Sequence, residues 1–186
     1  MELHEALYSR RAVRDYSPEP VSEDVLRELV DAAIQAPSAM NAQPWSFSIV
    51  RDKELLKGIS REAKSRLLQA PPSGISETHL HALVDNETFD ILYHAPALVV
   101  ICGDDDSRWT LIDCALAAEN LMLAARGLGL GTCWIGLAES WLKTPEGRAA
   151  LELPEETVPI AAIIVGRPVA PAAPVARKAP QVRWIG

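Results

Sequence analysis

The sequence lacks most of the devices that mark a function at sight. It holds three cysteines, Cys102, Cys114 and Cys133, odd in number, widely spaced and without a CxxC pair. That pattern excludes a disulfide framework and a thiolate zinc site. It fits buried thiols in a reducing compartment, so the cytoplasm is the expected location. No apolar run approaches a membrane span, and no apolar signal-type stretch stands near the N-terminus. GxxxxGK[ST], HExxH and GxSxG are all absent, which removes the usual grounds for phosphate-loop, zinc-peptidase or serine-hydrolase chemistry. The histidines of His79-Leu80-His81 have the wrong spacing for a metal pair on a helix. The acids of 103–107, Gly-Asp-Asp-Asp-Ser, read as a strand-to-helix turn, and no metal is expected. Positive charge is also in deficit: 18 basic against 25 acidic residues give a net charge of −7, against nucleic acid or an anionic membrane as partner.

What remains is ordinary in bulk and specific in places. With 186 residues, 48% apolar and 23% charged, the chain reads as one globular domain over 1–186. It is organised around Thr110–Gly136. The first two thirds of that stretch form a helix that is apolar nearly all round. Only Asp113 with Asn120, and Glu119 with Arg126, interrupt it as two narrow stripes. Such a helix belongs inside a protein or between subunits. At about 1.5 Å per residue it spans roughly 27 Å. Gly127, Gly129 and Gly131 end it, and Thr132–Ile135 continues as a strand. Glycine at such a junction lets backbone approach something flat or charged, read here as a cofactor. A dinucleotide fingerprint is rejected, because its glycines follow a strand and open a helix, the reverse of the order here.

Around that centre the pattern predicts a short helix over 2–9, with Leu3, Ala6 and Leu7 on one side. A second helix is capped by Ser22, with Val25, Leu26, Leu29, Val30, Ala33 and Ile34 inward, and stops before Pro37. Trp45–Val50 alternates as a strand, with Trp45, Phe47 and Ile49 on one side. A helix from Asp52 to about 69 buries Leu55, Leu56, Ile59, Ala63 and Leu67. Residues 70–76 form a loop and 77–94 a polar region of short helical turns. Ala97–Cys102 and Pro159–Val165 are buried strands. Thr144-Pro145 opens a short helix to Leu151. From Arg167 the chain is proline-rich and extended, with Val182, Trp184 and Ile185 suited to docking. Strands interleaved with helices make the class α/β or α+β, with about four or five strands.

Three groups of residues could bind an anion or a polar ring. Arg10, Arg11 and Arg14 lie within five positions, and guanidinium groups pair with phosphate in bidentate fashion. After Glu156 come four cations and no acid, Arg177 and Lys178 among them. Pro37–Pro44, PSAMNAQP, offers Ser38, Asn41 and Gln43, although a turn held by its own side chains explains it equally well.

Taken together, SRRAVRDY (9–16), APSAMNAQPWSF (36–47), GLGLGTCWIG (127–136) and the closing VGRP…RK resemble the FMN-dependent nitroreductase family, in the right order over nearly the whole chain. The resemblance implies an α+β fold of three layers, with a central mixed or antiparallel sheet flanked by helices. It implies a homodimer with the long helix at its interface, two FMN sites built from both chains, and the tail 167–186 docked on the partner subunit. It further implies hydride transfer from NADH or NADPH and reduction of nitroaromatic, quinone or similar small acceptors by a ping-pong mechanism. Dehalogenation, dehydrogenation or flavin cleavage on the same fold, or flavin binding with little turnover, are the alternatives.

By the same resemblance Arg10, Arg11 and Ala12 would hold the phosphate and ribityl end, and Arg14 would face the N1/O2 side of the ring. Pro37, Ser38, Ala39, Asn41 and Gln43 would come from the other subunit. Cys133, Trp134, Ile135 and Gly136 would lie along the flavin, with a backbone N–H of Ile135 or Gly136 near N5. Arg177 and Lys178 would close on the phosphate. No side chain would be catalytic in the acid–base sense, since the cofactor carries the redox chemistry. Ala12 stands where the family commonly has serine. The missing hydrogen bond is worth ~0.5–1.5 kcal/mol, enough to loosen FMN but not to abolish binding.

Overall fold

Capping side chains fix where most helices begin. In the computed structural model, which describes residues 1–186 apart from 68, 70, 72–75 and 87, Ser22 accepts the Val25 N–H and opens α2 (Glu23–Ala33). Asp52 accepts the Leu55 N–H at 2.7 Å and opens α3 (Lys53–Arg66). Thr144 does the same for α7 (Pro145–Ala150), with proline in its first turn. Each cap satisfies an N–H that has no partner inside its helix. α1 is Leu3–Ser9, α4 is Glu77–Val84 and α6 is Glu139–Leu142.

The long helix α5 runs Arg108–Gly127, two residues earlier than the apolar pattern predicts, because Ser107 caps it by accepting the Thr110 N–H at 3.3 Å. Asp105 in turn accepts the Ser107 N–H at 2.9 Å, so the acids of this turn serve the helix entrance.

Four strands form one sheet among the described residues: β1 (Trp45–Val50), β2 (Ala97–Gly103), β3 (Gly131–Trp134) and β4 (Val158–Gly166). Their order is β1-β2-β4-β3 and every pairing is antiparallel. Val99 faces Ile49 on one side and Ile163 on the other, and Ile163 faces Trp134. Because successive side chains point to opposite faces, the buried strand β2 feeds two cores. Leu98, Val100 and Cys102 join Leu56, Ile59 and Ala63 of α3 and Trp141 and Leu142 of α6. Ala97, Val99 and Ile101 join Leu26, Leu29 and Ala33 of α2 and Cys114, Ala117, Ala118, Leu121 and Ala125 of α5. The result is an α+β fold of three layers. Each fully buried leucine or isoleucine, such as Leu29, Leu121 and Ile163, contributes on the order of 1.5–3 kcal/mol.

Several expectations need adjusting. On β1, Ile49 is exposed while Val50 is buried in the α3-side core, because β1 is an edge strand covered on that face. α1 buries only Ala6; Leu3 and Leu7 stay exposed. Ile34, expected inward, is exposed at the end of α2. The polar region 77–94 is anchored by Leu80, Ile91 and Leu92, all buried, and the Ile91 N–H donates to Ser60 Oγ at 3.0 Å. The loop expected at 70–76 lies mostly outside the described residues, as does position 68 near the end of the predicted α3.

Candidate functional site

The chain leaving α1 runs straight onto the end of α5 and the start of β3. Ala12 makes a parallel bridge to Thr132, and the Val13 N–H donates to the Thr132 carbonyl at 2.9 Å. Gly131 permits this closeness, since a Cβ there would stand 2.7 Å from Val13 Cβ. The glycine junction was expected to make room for a cofactor; at Gly131 it makes room for Val13. Gly129, with φ of 75°, takes the left-handed conformation that ends the helix. Tyr16 is buried beneath, its hydroxyl donating to the Val13 carbonyl at 2.6 Å. Burial is the main reason its phenol is pushed far up from the ordinary value.

The C-terminal end of the sheet meets the same segment. The Ser17 N–H donates to the Arg167 carbonyl at 2.8 Å, the Val169 N–H donates to the Asp15 carbonyl at 3.2 Å, and Tyr16 bridges Pro168. The proline-rich tail therefore starts along residues 15–17. Its Ala170–Ala173 stretch, Val175 and Arg177 wall a cavity of about 540 Å³ together with residues 10–15.

That cavity gathers Arg10, Arg11, Arg14 and Arg177, with Asp15 as the one acid in its lining. Arg10 is held from behind: its Nε lies 3.2 Å from Glu119 Oε1. Arg11 Nη1 donates to the Arg10 carbonyl at 2.6 Å. Its Nε is buried and has no hydrogen-bond partner among the described residues. Arg14 is exposed, and its guanidinium carbon stands 5.8 Å above the centre of the Tyr93 ring. Ala12 is exposed and offers no side-chain donor. Lys178 does not line the cavity, so of the two expected tail cations the chain brings Arg177 alone to the cluster.

Along β3, Cys133 is buried. Burial pushes its thiol up, while Arg14 and Arg10 pull it back down. Trp134 is half-exposed and Ile135 buried. The Ile135 N–H donates to the Ala162 carbonyl at 2.7 Å, which corrects the expectation that it is free for a ligand. Gly136 is the better donor: it is exposed, a Cβ there would meet nothing within 4 Å, and no hydrogen bond among the described residues uses its N–H.

The Ser38–Gln43 turn sits elsewhere on α5. The Ala39 N–H forks to both carboxylate oxygens of buried Asp113 at 3.1 Å. Ser38 Oγ accepts the Gln43 N–H at 3.0 Å, and Asn41 Oδ1 accepts from Gln43 Nε2 at 3.0 Å. The side chains thus hold the turn, as the plainer sequence reading has it. Met40, Asn41 and Gln43 all take positive φ, and Pro37 and Met40 are exposed. Asp113 lies nearly two helical turns before Glu119 and more than three before Arg126, and no residue of this turn lines the arginine cavity of its own chain. The two polar stripes of α5 divide accordingly. Asp113 and Asn120 receive Ala39 and hold the Ala32 carbonyl; Glu119 and Arg126 hold Arg10 and Ser9.

The pattern of the Nitroreductase family matches residues 7–167. The chain belongs to that family. A relative from Archaeoglobus fulgidus, provisionally named an NADH dehydrogenase/NAD(P)H nitroreductase, is 32% identical over 174 residues, 90% of this chain and 86% of its own length. The structure of a nitroreductase with bound FMN from Bacteroides fragilis superposes with a TM-score of 0.81 at 30% identity, over 100% of this chain and 98% of the other. An iodotyrosine deiodinase bound to FMN and 3-iodo-L-tyrosine superposes at 0.78 with 25% identity, over 100% of both chains. In this nitroreductase-family chain, two residues that hold the arginines in place escaped the sequence reading as site residues. Glu119 is legible in retrospect from its seven-residue spacing to Arg126. Tyr93 has no local signal, because a turn far along the chain delivers it to Arg14.

Proposed function

We propose that the protein is an FMN-dependent oxidoreductase that uses NADH or NADPH to reduce nitroaromatic, quinone or similar small acceptors. The observation that carries the reading is the convergence of Arg10, Arg11, Arg14 and Arg177 on one cavity whose lining holds a single acid. The donor set suits a phosphorylated ligand. A buried guanidinium N–H without a partner, as at Arg11 Nε, is costly unless an anion completes it. The bare surface at Gly136 suits the flat ring of the same molecule. Arg10, Arg11 and Ala12 would then hold the phosphate and ribityl end, and Arg177 with Lys178 would close over the phosphate. Arg14 would face N1/O2, Gly136 would donate to N5, and Cys133, Trp134 and Ile135 would back the ring.

When bound, FMN supplies acceptance of hydride and its delivery to the acceptor. The chain supplies binding, orientation and charge. A fixed cation at Arg14 favours the extra negative charge of the reduced ring without costing reorganisation. The Arg10–Glu119 pair keeps the phosphate-side guanidinium in one orientation. Donor and acceptor would use one site in turn, so initial rates should give the parallel lines of a ping-pong mechanism.

A homodimer completes the arrangement. Trp109, Ile112 and Leu116 form an exposed apolar stripe on α5, a surface suited to a protein partner. Burying it against a second copy would bring that copy's Pro37, Ser38, Ala39, Asn41 and Gln43 to the arginine cluster. The domain then spans 1–186, with tail 167–186 continuing onto the second copy through Val182, Trp184 and Ile185, all exposed here. The three free thiols suit the cytoplasm, and among the described residues no helix is long and apolar enough to cross a membrane.

The deiodinase likeness keeps dehalogenation as a second reading. Purified protein should carry or take up FMN, and NADH or NADPH should bleach it; a protein that binds no FMN overturns both readings. Arg14→Ala should slow flavin reduction more than it weakens FMN binding, and equal reduction rates in mutant and parent would remove Arg14 from its role. Turnover of a halogenated phenol but of no nitro compound or quinone would favour the second reading.

A further inference from the structure

Arg14 is exposed, and no ion pair or hydrogen bond of its side chain is formed among the described residues. What stands beneath it is the Tyr93 ring, 5.8 Å from the guanidinium carbon, within the range at which an aromatic face attracts a cation. The ring is itself fixed. Phe89 meets it edge-on, with centroids 5.6 Å apart and planes at 84°, and both pack against the α3-side core. The backbone beneath is strained: Tyr93 and His94 take φ of 53° and 54°, the left-handed region that side-chain-bearing residues avoid. Asp90 holds that turn. Its carboxylate accepts the Leu92 N–H at 2.8 Å and the His94 N–H at 3.0 Å, and lies 2.9 Å from His94 Nδ1. Buried Ile91 and Leu92 tie the turn to the core. Buried Tyr16 lies close enough to feel both Arg14 and Tyr93.

We propose that Tyr93 is a positioning residue for Arg14, held in place by the Asp90 turn, so that the guanidinium is presented at one height over the edge of the cavity. Strain at two consecutive residues persists only where the surroundings over-determine it, and what this strain achieves is to deliver an aromatic face under an arginine of the cluster that no hydrogen bond or ion pair among the described residues holds. The claim rests on the assignment of Arg14 to the flavin made above, and its own part is the link from Tyr93 to Arg14.

Five proteins test it: Tyr93→Leu, Tyr93→Phe, Asp90→Asn, Arg14→Ala and the double variant Arg14→Ala/Tyr93→Leu, each first shown folded by its thermal melt. In the flavin-free protein, the Arg14 Nε–Hε resonance should lose its ring-current shift in Tyr93→Leu, keep it in Tyr93→Phe and shift partway in Asp90→Asn. In the FMN-bound proteins, the reduction potential should fall in Arg14→Ala and, less far, in Tyr93→Leu, with Tyr93→Phe at the parental value. FMN affinity should weaken about two- to fivefold in Tyr93→Leu. The double variant Arg14→Ala/Tyr93→Leu should match Arg14→Ala alone. An unmoved Arg14 resonance in Tyr93→Leu overturns the proposal. So does a parental potential in Tyr93→Leu beside a lowered one in Arg14→Ala. A parental potential in Arg14→Ala instead overturns the assignment of Arg14 to the flavin, and the Tyr93 role at the ring falls with it, even if the resonance has moved.

Discussion

Val13 occupies the space that a side chain on Gly131 would need. Its N–H is bonded to the Thr132 carbonyl at 2.9 Å, and a Cβ on residue 131 would fall 2.7 Å from its own Cβ. The arginine segment therefore rides on β3 only because the strand begins with a glycine. Gly131→Ala should push Val13 and its neighbours outward, with a stability loss of about 1–3 kcal/mol, as for other overpacked sites. FMN binding should weaken with it. Urea unfolding and a flavin titration check both; a variant with parental stability and affinity would show that the 10–14 segment does not depend on that approach.

The exposed stripe Trp109, Ile112 and Leu116 yields a second expectation. Leu116→Glu puts a charge where the proposed dimer buries apolar surface, a placement that strongly disfavours association. Light scattering should report a monomer, and bound FMN should be lost with the second copy's Ser38–Gln43 turn. A folded monomer that still holds FMN at parental affinity would mean that one chain suffices.

Burial also sets a pH limit. Cys102 and Cys114, fully buried in the two cores, have thiols pushed up to about 12 by desolvation; the ordinary value is near 9. The unfolded chain loses these protons first as pH rises. Their contribution to stability is therefore complete below about pH 9 and is lost as pH climbs toward 12. Buried Tyr16, raised for the same reason, acts in the same direction. The urea midpoint should fall between pH 8 and pH 10.5; a flat or rising midpoint would contradict this. At pH 8 in the native state, neither thiol should react with a disulfide reagent.

Much of this was legible in the chain because it depends on local spacing. The two seven-residue pairs on α5 each meet one neighbour, as stripes on a helix must. Ser22, Asp52 and Thr144 cap where their positions suggest. The order of strands in the sheet could not be read, since a strand carries no mark of its partner. The anchoring of region 77–94 is hidden in its sequence because polar residues outnumber the few that matter, Leu80, Ile91 and Leu92. The sequence pairs Ile135 with Gly136 as expected donors, and only the sheet tells their N–H groups apart: that of Ile135 is still bonded to Ala162 of β4, and Gly136 lies beyond the pairing. Likewise, nothing near Gly131 announces Val13, which arrives from more than a hundred residues away.

If cations from both ends of the chain grip a phosphorylated flavin, FMN and riboflavin, which lacks only the phosphate, must differ sharply in affinity. Charge-assisted hydrogen bonds are worth about 1.5–3 kcal/mol each, so apoprotein titrated by calorimetry should bind FMN at least about tenfold more tightly than riboflavin. The difference should shrink as salt is raised and nearly vanish in Arg10→Ala/Arg11→Ala. Equal affinity for the two flavins in the parent protein would mean that the arginines do not hold the phosphate.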